Sequence, residues 1–192
     1  MAEKDVFSER GRSLEEDYFR KKDRELIEKM KQAAEAEQSR REMGARTGLT
    51  DPAMLADLHE LGFTPDTVAL LPLVPVVQVA WAEGGVTNAE RKLLTDLARA
   101  RGIGAGSAAD RQLQDWMVHE PDQAVFTSAT RLIRAMLESG ESQGDLTADD
   151  LVKYCENIAS ASGGILGMGR ISAEERELLA SIASELRTRH GS

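Results

Sequence analysis

The residue types that could do chemistry in this 192-residue chain are scattered. Its histidines, His59, His119 and His190, have no paired ligand spacing of the kind that metal sites use, so we expect them to be surface residues. The single cysteine, Cys155, lies on the apolar face of a predicted helix, and no base neighbours it in sequence. This setting favours a packed thiol over a nucleophile.

Three further segments superficially resemble binding loops. The acid-rich stretch Glu138 to Asp145 lacks the ligand spacing of an EF-hand, so we predict a solvated loop. Gly102 to Gly106 follows a predicted helix rather than a strand and lacks the P-loop lysine, which favours a helix-to-helix connection. Gly163 to Gly169 also lacks a following Lys-Ser or Lys-Thr. We therefore predict a non-enzymatic protein with no catalytic residue, no metal ligand and no cofactor.

Composition narrows the class of protein. The chain is 41% hydrophobic and 30% charged, which supports one modest core, and its net charge of −9 argues against a nucleic-acid binder. A single cysteine excludes an internal disulfide and fits a reducing compartment. The start has no apolar signal region, and the longest apolar stretch, Val68 to Ala82, is too short to span a bilayer. We expect a cytoplasmic protein without membrane insertion, and peripheral association stays open.

The charge is unevenly distributed along the chain. Residues 1–46 carry 12 acids and 12 bases, whereas residues 47–192 carry the whole net charge of −9. This difference predicts a charged helical arm at 1–46 and an acidic globular domain at 47–192. The two glycines Gly44 and Gly48 indicate a short flexible break between them.

The arm should form one long helix. Ser13 to Glu16 reads as a capping box, and no proline or glycine interrupts the chain from there to Met43. Oppositely charged residues recur at helical spacing, as in Glu25 and Lys29. A narrow apolar stripe consists of Leu14, Tyr18, Phe19, Leu26, Ile27 and Met30. Two interpretations stay open: a solvated helix that docks on its own domain or extends into water, and a recognition helix for another protein.

Specific residues of the arm favour recognition. They are Phe7-Ser8-Glu9-Arg10, then Glu15-Glu16-Asp17-Tyr18-Phe19-Arg20, then Arg24-Glu25-Leu26. Residues 7–32 thereby resemble the inhibitory segment of the mitochondrial ATP synthase inhibitor protein family, which has the same order of Phe and Arg, an acidic pair, Tyr-Phe-Arg and Arg-Glu. The family's histidine-bearing coiled-coil tail is replaced here by a globular domain.

The resemblance implies a helix that enters a catalytic interface of the ATP synthase head and stops ATP hydrolysis. Its implied contact core is Glu16, Tyr18, Phe19 and Arg20, with Phe7 and Arg10 anchoring the leading end. The full set of implied partner-binding residues is Phe7, Arg10, Glu15, Glu16, Tyr18, Phe19, Arg20, Arg24 and Leu26.

The sequence of residues 47–192 predicts an all-α fold. Thr50-Asp51-Pro52 opens a short helix to about Leu61, and a buried helix should follow from Leu73 to Trp81. Capping signals at Thr87, Ser107 and Ser172 begin three of the later helices. The later predicted helices are Thr87–Arg101, Ser107–Val118, Pro121–Ser139, Thr147–Ala161 and Ser172–Arg189.

An internal repeat appears within this domain. The segment Val86 to Ala98 aligns with Ile171 to Ala183, and each copy follows an apolar helix and a glycine turn. A helix, a glycine turn and a capped second helix form an αα-hairpin, so the sequence predicts two hairpins that share one core about a pseudo-twofold axis.

The first copy carries Ala80-Trp81-Ala82-Glu83-Gly84 and then Glu90-Arg91-Lys92-Leu93-Leu94. On these residues, the segment 70–189 resembles the tellurite-resistance TerB-like family of helical stress-response domains. The resemblance implies an adaptor, and some family members have acidic sites proposed to bind a metal ion. Glu83 stands where the family has Asp, and Gly85 occupies a position where it has an acid.

These observations lead to two functional hypotheses. The first is a regulatory protein whose arm binds a protein partner, with the catalytic subunits of the ATP synthase as the candidate partner and inhibition of ATP hydrolysis as the result. The alternative is a TerB-like stress-response adaptor whose arm binds another protein and whose acidic domain takes up a divalent metal.

Overall fold

A computed structural model describes the backbone of residues 2–139, 146–162 and 171–187, and the side chains of 18–138, 146–161 and 171–187. The described residues form eight α-helices and a short 3₁₀ helix at Val68–Leu73, with no strand among them. The predicted all-α class is confirmed. The α-helices are α1 Ala2–Thr47, α2 Pro52–Glu60, α3 Val74–Trp81, α4 Asn88–Ala100, α5 Ala108–Trp116, α6 Gln123–Ser139, α7 Ala148–Ser162 and α8 Ala173–Arg187.

The chain divides into two compact units, residues 1–39 and residues 40–192. The first unit consists of most of α1. The second, here called the body, contains the last turns of α1 and all the other helices. No helix in the described ranges combines the length and the apolar character that crossing a bilayer requires.

Helix α1 is longer at both ends than the sequence predicted. It begins at Ala2, so Ser13 lies inside the helix and does not cap its start. At the other end it continues through Gly44 to Thr47, and the predicted flexible break is wrong. The helix ends where Gly48 adopts a φ of 75° and its N–H donates to the Gly44 carbonyl at 2.8 Å.

Gly44 allows close packing and is not a flexible hinge between the arm and the domain. A Cβ atom at this position would lie 2.9 Å from the Leu49 carbonyl oxygen and 3.4 Å from the Leu55 side chain. The chain after α1 therefore passes close to the helix, which requires a residue without a side chain.

The apolar stretch after Phe63 forms two consecutive helical segments. Pro72 lies in the 3₁₀ helix, and Pro75 occupies the first turn of α3, where a missing N–H costs little. The β-branched run of α3 is helical, as predicted, and nearly all of it is buried. Helix α3 packs against α4, α6, α7 and α8, which makes it the centre of the core.

The later helices agree closely with the predicted ones, because their first residues carry the expected caps. The Thr87 hydroxyl accepts the Glu90 N–H, the Ser107 hydroxyl accepts the Asp110 N–H and the Ser172 hydroxyl accepts the Glu175 N–H. Helix α7 has a cap that the sequence analysis did not identify: the Thr147 hydroxyl accepts the Asp150 N–H, and the Asp150 carboxylate accepts the Thr147 N–H.

The repeated segments form two hairpins, α3–α4 and α7–α8. Helices α3 and α7 pack against each other, and each also contacts the second helix of the other hairpin. This reciprocal packing is the pattern that a shared core about a pseudo-twofold axis produces. Helix α6 covers α3 and α8 on a further side of the core.

Candidate functional site

The first candidate site is the aromatic face of α1, which consists of Tyr18, Phe19, Leu26, Ile27 and Met30. Each of these side chains is more than half exposed, from 53% for Ile27 to 64% for Met30. All eight other residues between Tyr18 and Met30 are charged and exposed. Single exposed apolar residues are common on proteins, but five within 13 positions of one polar helix form a more concentrated apolar surface than scattered residues do.

Helix geometry aligns three of these side chains. Phe19, Leu26 and Met30 are separated by seven and four positions, so they project from the same side of α1. Tyr18 and Ile27 border this row on its two flanks. The rings of Tyr18 and Phe19 meet edge to face with centroids 5.9 Å apart, and Lys22 Nζ lies 5.7 Å from the Tyr18 ring centroid.

The predicted partner-binding residues fall into two groups. Tyr18, Phe19 and Leu26 belong to the aromatic face, and Arg20 and Arg24 are exposed on the same helix. The side chains of the other four lie outside the described residues, and these are Phe7, Arg10, Glu15 and Glu16. Ile27 and Met30 were not among the predicted contacts, although the apolar stripe that contains them was visible in the sequence.

The second candidate site is the glutamate pair, Glu90 and Glu175. Each is the third residue of the second helix in its hairpin, and each is buried. The Glu90 carboxylate accepts the Thr87 N–H at 2.7 Å, and the Glu175 carboxylate accepts the Ser172 N–H at 2.7 Å. The two repeats therefore carry the same capping box, and their carboxylates occupy equivalent positions in the fold.

The environment of Glu90 disfavours its negative charge. Burial is the largest cause that raises the pKa of Glu90, and the charges of Glu175 and Glu83 raise it further. Hydrogen bonds from Thr87 oppose this shift. The charges of Glu175 and Glu83 thus both act on Glu90.

The glutamate pair has a defined structural task as a pair of helix caps. In the part of the chain that the structure describes, no group of three histidine, cysteine or acidic side chains is arranged to hold a metal ion. The sequence singles out Glu83 but does not predict that the charge of Glu175 acts on Glu90. The sequence does show that a glutamate is the third helical residue in both capping boxes, and this match could have indicated that Glu90 and Glu175 are equivalent.

The structure also shows where the histidines, the cysteine and the candidate binding loops lie. His59 is exposed, exposed His119 lies 2.9 Å from the Asp115 carboxylate, and His190 lies outside the described residues. Cys155 is fully buried, and burial raises its pKa to about 12, so the predicted packed thiol is confirmed. Gly102 to Gly106 connects α4 to α5, as predicted. Most of the acid-rich stretch before Leu146 and the turn from Gly163 to Gly169 lie outside the described residues.

Comparison with protein-family models, with curated proteins and with solved structures finds no match to this chain.

Proposed function

We propose that this protein is a regulator whose aromatic face of α1 binds a groove on a partner protein. The observation that carries the proposal is the exposure of five large apolar side chains on an otherwise polar helix. Covering such a face removes apolar surface from water, and aromatic side chains contribute strongly to protein interfaces. The charged residues that surround the face supply orientation and register.

The partner that we propose is the ATP synthase head, with inhibition of ATP hydrolysis as the outcome. Support comes from the order of residues in the arm, where Tyr18-Phe19-Arg20 follows an acidic pair as in the inhibitory segment that it resembles. A helix lodged in a catalytic interface would prevent the subunit movements that hydrolysis requires. We also propose that the protein is cytoplasmic, because its single cysteine fits a reducing compartment.

The test is ATP hydrolysis by a purified bacterial ATP synthase head in the presence of the intact protein. We expect inhibition, and we expect the double substitution Tyr18→Ala and Phe19→Ala to weaken it at least about tenfold, since central aromatic contacts commonly contribute about 2 kcal/mol or more. The matched control is Glu28→Ala with Gln32→Ala, because these residues lie on the opposite side of α1 and share only an exposed 3.3 Å hydrogen bond. Equal inhibition by the two double variants, or none by the intact protein, would reject this function.

A second candidate function is a stress-response adaptor of the tellurite-resistance type. The reciprocal packing of the hairpins and the electrostatic coupling of Glu83, Glu90 and Glu175 favour it. In this case α1 binds a different protein, and the resemblance implies that the acidic body takes up a divalent cation, although no three acidic, histidine or cysteine side chains among the described residues form a metal site. Its test is the thermal midpoint of the intact protein with added Mg²⁺, Ca²⁺ or Mn²⁺, because a cation that binds the folded state raises that midpoint. The increase in the thermal midpoint should be lost in Glu83→Gln. If none of the three cations changes the midpoint of the intact protein, the body does not bind a divalent cation.

A further inference from the structure

The body contains a cavity of about 380 Å³ that the functions above do not use. It is lined by Arg46, Thr47, Val68, Ala69, Pro72, Arg101, Met136 and Leu146. The volume lies at the lower end of the range of roughly 300–1,000 Å³ that is typical of small-molecule sites. These residues come from five separate parts of the sequence, so the cavity exists only in the folded body.

One part of the lining is apolar. Val68 and Pro72 come from the 3₁₀ helix, Met136 from the last turns of α6, and Leu146 from the segment before α7. All four are buried, and the exposed fractions of Val68, Met136 and Leu146 are 2%, 5% and 9%. Their surfaces suit a hydrocarbon chain. No aromatic residue is present among the lining residues to stack on a base or a ring system, which disfavours a nucleotide.

Two arginines form the polar part of the lining. The Arg46 guanidinium donates to the Pro65 carbonyl and lies 3.8 Å from the Asp66 carboxylate, so its position is held from one side. Arg101 is half-buried at the end of α4, and its side chain makes no hydrogen bond or ion pair with any described residue. Among the described residues, the Arg101 guanidinium donates no side-chain hydrogen bond, and its charge adds to the hydrogen bonds that lower the pKa of the Asp150 carboxyl.

The charge of the cavity contrasts with that of the rest of the body. The body, residues 40–192, carries 22 acids and 15 bases, yet both ionisable residues that line the cavity are cationic. Guanidinium groups bind carboxylates through paired hydrogen bonds, and a partly desolvated site strengthens that interaction. The complementary ligand has one anionic head group and a short apolar chain.

We propose that the body binds a medium-chain fatty acid in this cavity. The carboxylate is held by Arg101 with help from Arg46, and the acyl chain packs on Val68, Pro72 and Met136. The proposal is independent of the aromatic face of α1, because every residue of the site belongs to the body and only the last turn of α1 contributes to it.

The test is isothermal titration calorimetry of the full-length protein with decanoate, 1-decanol and acetate, each below its aggregation concentration. We expect saturable binding of decanoate, at least about tenfold weaker binding of the uncharged decanol because it lacks the charge-assisted hydrogen bonds, and no measurable binding of acetate. Equal affinity for decanoate and decanol would overturn the role of the arginines. Equal affinity for decanoate and acetate would show that the cavity binds the carboxylate alone and not the acyl chain, which would also overturn the proposal.

Two variants locate the site. Arg101→Gln should weaken decanoate binding at least about tenfold, whereas the control Arg111→Gln, on an exposed residue of α5, should leave it unchanged. Ala69→Leu places extra carbon atoms in the cavity from an exposed position of the 3₁₀ helix, so it should abolish binding without unfolding the body. Circular dichroism checks the fold of each variant. Unchanged decanoate binding by folded Ala69→Leu would show that decanoate binds elsewhere.

Discussion

Glu90 and Glu175 occupy equivalent positions in the two repeated hairpins, and the charge of Glu175 raises the pKa of Glu90. Each carboxylate accepts the backbone N–H of the residue that caps its helix, so neither can turn away without exposing a helix terminus. The repeat thus gives each hairpin a favourable cap and at the same time brings two negative charges into one buried region. This combination makes the stability of the body sensitive to pH.

Glu90→Gln tests that sensitivity. The pKa of Glu90 in the folded protein is raised above its ordinary value of 4.5, so the folded state binds the proton more tightly than the unfolded state does. The contribution of Glu90 to stability is therefore complete below pH 4.5 and is lost as the pH rises through the folded-state pKa. Glutamine keeps an acceptor for Thr87 but cannot ionise. Urea unfolding should show that the variant gains stability relative to the wild type between pH 4 and pH 7.

Glu90→Ala is the control for the cap itself. It removes both the charge and the acceptor, leaving the Thr87 N–H without its 2.7 Å partner, and we expect a loss of about 0.5–1.5 kcal/mol near pH 4. The prediction fails if the difference in the free energy of unfolding between Glu90→Gln and the wild type is the same at pH 4 and at pH 7. That result would show that the charge of Glu90 does not destabilise the folded state.

The two hydroxyl caps should contribute similarly, because they make the same contact. Thr87→Ala and Ser172→Ala each remove an acceptor from the first turn of a helix, at 3.3 Å and 3.1 Å respectively, and each should lower the free energy of unfolding by about 0.5–2 kcal/mol. Thermal and urea unfolding measure the loss. Thr127→Ala, at an exposed position inside α6, serves as the control and should change stability by less than about 0.5 kcal/mol. A cap variant as stable as this control would contradict the prediction.

Gly44→Ala should destabilise the body although it places alanine in a helix. Replacing an interior helical glycine by alanine ordinarily gains about 1 kcal/mol. Here the new Cβ would meet the Leu49 carbonyl oxygen at 2.9 Å, and backbone atoms cannot move away cheaply. We expect a net loss of about 1–3 kcal/mol in denaturant unfolding. Ala45→Gly, at the exposed neighbouring position, measures helix propensity alone, and a stabilised Gly44→Ala variant would show that the close approach does not exist.

Trp81→Phe should remove a tertiary hydrogen bond. The Trp81 indole N–H donates to the Trp116 carbonyl at 2.8 Å and ties the end of α3 to the end of α5. Phenylalanine keeps an aromatic ring at this position but leaves that carbonyl unpaired, at an expected cost of about 1–3 kcal/mol. Urea unfolding followed by circular dichroism measures the loss. Trp116 fluorescence should still report a buried indole in Trp81→Phe, and a variant as stable as the wild type would contradict the prediction.

The helices of the body could be predicted because their signals are local. The hydroxyls of Thr87, Ser107 and Ser172 each accept the N–H of the residue three positions later, so a few consecutive residues determine where the helix begins. The 3₁₀ helix before α3 and the continuation of α1 through Gly44 were not predicted. Both depend on how the chain packs on itself, since the Gly44 position is set by the approach of Leu49 and Leu55.

The candidate sites differ in the same way. The aromatic face was visible from the sequence, because helix periodicity alone aligns Phe19, Leu26 and Met30. The proximity of Glu90 to Glu175 and that of Arg46 to Arg101 at one cavity were not visible, since each joins residues more than 50 positions apart. Such pairs are products of tertiary structure, and no spacing rule for a single helix predicts them.

The burial of Cys155 has a consequence for measuring the motions of the body. It is the chain's only thiol, and it lies on α7, which packs against α3, α4 and α8. A thiol reagent can reach it only after α7 separates from those helices, so the rate of labelling reports how often the core opens. With a thiol of pKa about 12, the intrinsic reactivity is also low until that opening exposes it. The unaltered protein thus contains its own probe of transient unfolding.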